Sequence, residues 1–176
     1  ANNPEEFIIR AANLINEQKA TAIIEHIAYD KLTSVFSTTI FTEPSLKKGA
    51  LGVNAIEAKR HLYDYVIYDS TTERDFAVQL ETHCQEVEVY VKLPKGFYIS
   101  TPVGRYNPDW AIAFCEGKVK HIYFVAETKG SLGLELTEMA KAKAHCAREH
   151  FRAISGENIK FDVVDSYERL WEMVQA

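Results

Sequence analysis

The chain predicts an α/β fold in which a mixed central sheet is flanked by helices. The order is αβββαβ over residues 67–176, preceded by an N-terminal α/β extension over residues 1–66. Three observations carry this. The run His121-Ile122-Tyr123-Phe124-Val125-Ala126 places apolar residues on both faces, as a central strand covered on both sides requires. Residues 71–84 and 134–151 instead carry apolar positions at helical spacing. With 176 residues, 47% of them hydrophobic, the chain has the apolar content of one ordinary domain core plus an extension.

The elements follow in order. Asn3-Pro4-Glu5-Glu6 combines a cap residue, a proline for the first turn and early acids. A helix therefore begins there, and Phe7, Ile8, Ala11, Leu14 and Ile15 give it an apolar face with which to cover the core. Ser34 to Phe41 reads as a strand from its β-branched and aromatic content, and Asn54 to Tyr63 as a helix. Ser70, followed three residues later by Glu73, is a capping box that starts a helix ending near Cys84. The inward stripe of this helix is Phe76, Ala77, Leu80 and Cys84. Strands are expected at 87–93, 109–115 and 119–128, then a helix at 134–151, a strand at 159–164 and a terminal helix from Ser166. Leu136, Ala140, Ala144, Ala147 and Phe151 form the side of the 134–151 helix that packs on the sheet.

Charges break into the apolar strands at two places. Pro108-Asp109 opens one strand, and Glu127-Thr128-Lys129 closes the next. A lone carboxylate there is costly to desolvate, so a use for it is expected. Strand alternation points Glu127 and Lys129 one way and Thr128 the other. A hairpin through Cys115-Glu116-Gly117-Lys118 brings Asp109 to the same end. Two carboxylates, the Thr128 carbonyl and waters suit an oxygen-loving divalent ion such as Mg²⁺, with Mn²⁺ as a substitute. Lys129 then stands as a fixed positive charge for an attacking water or a phosphate. A salt bridge between strand-end residues is the alternative use of the same three side chains.

The similarity extends beyond that motif. It includes Asp69-Ser70, Glu73, Tyr90-Val91-Lys92-Leu93-Pro94, Thr101-Pro102, Tyr106-Asn107-Pro108-Asp109-Trp110-Ala111, Phe124 through Ser131, Glu138, Lys141, Cys146-Ala147 and His150-Phe151. Over about residues 65 to 165 the chain resembles the C-terminal nuclease domain of the restriction subunit of type III restriction-modification enzymes, within the PD-(D/E)xK superfamily. The resemblance implies a restriction-endonuclease-like fold and Mg²⁺-dependent hydrolysis of DNA phosphodiesters. It assigns the metal to Asp109 and Glu127 and makes Lys129 the catalytic lysine. It also offers Glu73 as a further metal ligand, against its sufficient role in the capping box. Family members join this domain to an ATP-driven helicase-like motor and work with a methyltransferase subunit, so double-stranded DNA, motor and methyltransferase are the expected partners. A nuclease-fold module that no longer catalyses and serves as an interaction platform in the same assembly is the alternative.

Charge restricts how DNA is held. With 20 Lys and Arg against 25 Asp and Glu, the net charge is −5, which excludes a general basic field. The local candidates are Lys141, His145, Arg148 and Arg152 along one side of the 134–151 helix, with Ser131 near a phosphate; a solvated helix face explains the same stripe. Trp110, Phe97 and Tyr98 read either as stacking platforms or as core. No GxxxxGK[ST] loop occurs, so ATP binding is expected only in a motor elsewhere. Ala1 in place of a Met leads us to expect a fragment of a larger protein. The start lacks the basic and hydrophobic parts of a signal peptide, and a cytoplasmic location is expected. Cys84, Cys115 and Cys146 form no CxxC pair and read as reduced thiols; Cys146 and His150, one turn apart, read as packing or as half a zinc site.

Overall fold

The computed structural model describes residues 3–24, 26–31, 33, 37–42, 49–83, 85–119, 123–128, 138–155 and 159–176. Helix α1 spans Pro4–Ile24, and Asn3 caps it: its Oδ1 accepts from the Glu5 and Glu6 N–H groups at 3.2 and 3.4 Å. Two short strands, β1 (Ala55–Glu57) and β2 (Tyr65–Ile67), pair antiparallel. Helix α2 (Thr71–Thr82) starts at Ser70, whose Oγ accepts from the Glu73 N–H. Next come β3 (Val87–Lys92), the hairpin β4 (Ile99–Thr101) and β5 (Gly104–Tyr106), β6 (Trp110–Phe114) and β7 (Tyr123–Thr128). Helix α3 (Glu138–Ser155), β8 (Ile159–Val164) and α4 (Tyr167–Gln175) complete the chain.

The central sheet has the order β3-β6-β7-β8. The first two pairings are antiparallel and the last is parallel, so the sheet is mixed. Its two faces are covered by different helices. On one, α2 and α4 bring Phe76, Ala77, Leu80, Leu170 and Val174 onto Tyr90, Trp110, Phe114 and Phe124. On the other, α3 brings Ala144, Ala147 and Phe151 onto Val125 and Phe161, with Ile99 and Tyr106 of the small hairpin. The outer edge of β3 is also closed. The Tyr90 N–H donates to the Arg60 carbonyl at 2.9 Å, and Leu62 N–H donates back to Tyr90 O at 2.9 Å.

Most of the expected core elements form within two or three residues of their predicted ends. Three expectations fail. Asn54 to Tyr63 is not a helix, because Ala55–Glu57 is extended and Ala55 is buried against β2. Of the strand expected over 34–41, residues 34–36 lie outside the described set and Thr38–Phe41 forms a 3-10 turn capped by Ser37. The apolar face of α1 does not cover the core with its first half. Phe7, Ile8, Leu14 and Ile15 are exposed, and the buried contact comes at the end of the helix, where Ile24 meets Cys146. Cys84 and Leu136, expected on the inward stripes of α2 and α3, lie outside the described residues. No helix among the described residues is long and apolar enough to cross a membrane.

Candidate active site

The site begins with a proline. Pro108 is fully buried and has no N–H to satisfy, so the chain can enter the sheet there without an orphaned donor. Asn107 holds the preceding loop, its Nδ2 donating to the carbonyls of Lys95 and Phe97 at 2.9 and 2.7 Å. Asp109 is then clamped between two strands: its N–H donates to Ala126 O at 3.1 Å, and its carbonyl accepts from Leu93 N–H at 2.7 Å.

The Asp109 carboxylate is held as firmly. Its Oδ2 accepts from the Thr128 N–H at 2.8 Å and from the Thr128 hydroxyl at 2.9 Å. Having given its proton to Asp109, the Thr128 oxygen accepts from the buried Trp110 Nε1–H at 3.2 Å. An indole in the core, a threonine at the end of β7 and the first acid thus form one connected chain. Trp110 is accordingly core and not a stacking platform.

Glu127 points to the other face, as strand alternation requires. It is 6% exposed, lies opposite Val163 in the parallel register, and lines a cavity of about 250 Å³ with Arg105, Tyr106, Lys143 and Ala144. Tyr106 lines the same cavity. Its pKa is pushed up by burial first, then by the charges of Glu127 and Asp109, so one buried hydroxyl lies in the field of both carboxylates. Sequence reasoning did not single out Tyr106. The available signal was its place as the apolar end of Gly104-Arg105-Tyr106, just before Pro108-Asp109.

The remaining candidates are placed as follows. Lys129 and Ser131 lie outside the described residues. Thr128, whose carbonyl was a candidate ligand, is the last residue of β7. Glu73 lies over the α2 face of the sheet, where its Oε2 accepts from Lys92 Nζ at 2.5 Å and from Asp69 N–H at 2.6 Å. It is thereby paired with Lys92 and not gathered with Glu127. Each cation of the α3 stripe has an acid: Lys141 meets Glu138, Arg148 meets Asp162, and Arg152 meets Glu149. Cys146 and His150 are packing residues, Cys146 against Ile24 and His150 edge-on to Tyr29 and Phe151. Among the described residues, no three His, Cys, Asp or Glu side chains gather as a metal cluster.

Residues 59–167, more than half of the chain, match the family described as an endonuclease domain. The chain belongs to that family. The match spans the segment that closes the β3 edge, α2, the whole central sheet and both acids, and with the mixed sheet it establishes a restriction-endonuclease-like domain. No curated protein and no solved structure matches the chain.

Proposed function

We propose that this endonuclease-family domain is the Mg²⁺-dependent nuclease module of a type III restriction subunit, with Asp109 and Glu127 as metal ligands and Lys129 as the catalytic cation. The observation that carries the reading is the placement of two acids at one end of adjacent strands: Asp109, whose N–H donates to Ala126 O just before β6, and Glu127, buried as the next residue of β7. The donor chemistry fits a hard divalent ion, because carboxylate oxygens are the ligands such an ion takes. The set is completed by the Thr128 carbonyl and water. Thr128 would hold the Asp109 carboxylate in place toward such an ion, its N–H and hydroxyl both donating to Oδ2. An ion held there supplies charge neutralisation at phosphorus and an acidified water.

The chain's own residues do the rest. Thr128 and the Ala126 carbonyl keep Asp109 in one orientation, and Tyr106, Ala144 and Val163 shield Glu127 from bulk water. Lys129, two residues after Glu127, provides the positive charge that holds the attacking water or the phosphate. Glu73 pairs with Lys92 and supports α2, a role that needs no metal. Sequence recognition and ATP use belong to the methyltransferase and motor partners, in the cytoplasm. The test is cleavage of plasmid DNA by the complete enzyme with Mg²⁺ and ATP. Asp109→Ala and Lys129→Ala each abolish cutting on this account, and cutting that persists in either contradicts it.

A further inference from the structure

We propose that Arg105 and Lys143 form a phosphate clamp that seats the cleaved DNA strand over Glu127; this deepens the nuclease reading and rests on it. Both residues line the cavity that contains Glu127, one from the small hairpin and one from α3. The Lys143 ammonium donates to the Arg105 carbonyl at 3.2 Å, which ties α3 to the hairpin and uses one of its three donors. The Arg105 guanidinium carbon lies over the Tyr98 ring, 4.2 Å from its centroid, a cation–π contact that holds the charged group in place.

The contrast with the α3 stripe decides between the two surfaces. Lys141, Arg148 and Arg152 are each paired with a neighbouring acid, and none of the three lines the cavity. Arg105 and Lys143 have no carboxylate within ion-pair distance among the described residues. Both charges line the cavity that contains Glu127, whose own charge otherwise repels phosphate. A chain of net charge −5 needs such a local grip if it is to place a phosphodiester beside two carboxylates. The ligand is the sugar-phosphate backbone, bound without regard to base sequence.

The test is a fluorescence-anisotropy titration of a short labelled duplex, without divalent ions, over a series of salt concentrations. Each phosphate contact contributes about 0.9 to the slope of log K against log salt. Arg105→Gln/Lys143→Gln is expected to bind more weakly and to flatten the slope by about 1.8, two contacts' worth. The charge-conserving Arg105→Lys/Lys143→Arg variant keeps the wild-type slope, as does Arg148→Gln/Arg152→Gln. Thermal melts confirm that the variants fold. Mn²⁺ binding, read by calorimetry on the same proteins, separates the two levels of the argument. An unchanged slope in the glutamine pair, with Mn²⁺ still bound at the acids, overturns the clamp alone. A wild type with no salt-dependent DNA binding and no Mn²⁺ binding overturns the nuclease reading and the clamp with it.

Discussion

Thr128→Val isolates the network that orients Asp109. Valine matches threonine in shape, and the main-chain N–H that donates to Oδ2 remains, so the substitution removes one oxygen and little else. That oxygen has two partners: it donates to Asp109 at 2.9 Å and accepts from Trp110 Nε1 at 3.2 Å. Trp110 is fully buried, so its indole N–H loses its only partner in the described structure. A buried donor left unsatisfied costs about 1–3 kcal/mol, and a hydrogen bond to a charged acceptor is worth about 1.5–3 kcal/mol, part of which the remaining N–H retains. A net loss of about 2–3 kcal/mol follows, and for a chain of this size that lowers Tm by about 5–10 °C. Urea and thermal unfolding of wild type, Thr128→Val, Trp110→Phe and the double variant measure it. The two substitutions are expected to couple, the double variant losing less than the sum, because phenylalanine removes the orphaned donor. A Thr128→Val protein within about 0.5 kcal/mol of wild type, with additive effects in the cycle, refutes the network.

Two further predictions address the α2 side of the sheet. Among the described residues, Lys92→Met leaves the Glu73 carboxylate with only the Asp69 N–H, and because the Lys92 and Glu73 side chains are 17% and 13% exposed the loss should be about 2 kcal/mol by urea denaturation; an unchanged midpoint contradicts the pairing. His61 is held below its ordinary pKa by burial, and its Nε2 accepts from the Lys92 N–H at 3.1 Å. Such a group binds fewer protons than it does in the unfolded chain. Its contribution is complete above the unfolded value of about 6.5 and falls as pH drops through it. Unfolding measured on both sides of that value should therefore show a larger loss at acid pH for wild type than for His61→Phe, and equal losses contradict the assignment.

How far the sequence foretells this molecule depends on which force shapes each part. The elements from α2 to α4 were legible because local signals and burial agree. Ser70 and Ser166 cap their helices as their positions suggest, and Phe76, Ala77 and Leu80 are buried as the stripe requires. Ala55-Ile56-Glu57-Ala58 misled because these residues favour helices, whereas pairing with Tyr65–Ile67 holds them extended. The β4–β5 hairpin was missed, although Thr101-Pro102-Val103-Gly104 carries its turn: Gly104 takes φ +100° and Thr101 Oγ1 accepts from the Val103 N–H. At the site, Asp109 and Glu127 were legible as charges in apolar strands. Their attachments were not: Thr128 holding Asp109, Lys92 holding Glu73 and Tyr106 lining the cavity of Glu127 arise from contacts between elements, which a linear pattern does not contain.

The central claim is that Asp109 and Glu127 hold one divalent ion. Calorimetric titration with Mn²⁺, in the absence and presence of a short duplex, tests it most directly. The account predicts a binding event in wild type that disappears in both Asp109→Asn and Glu127→Gln while the fold is retained. Equal binding in all three proteins, or none in the wild type even with DNA present, contradicts it.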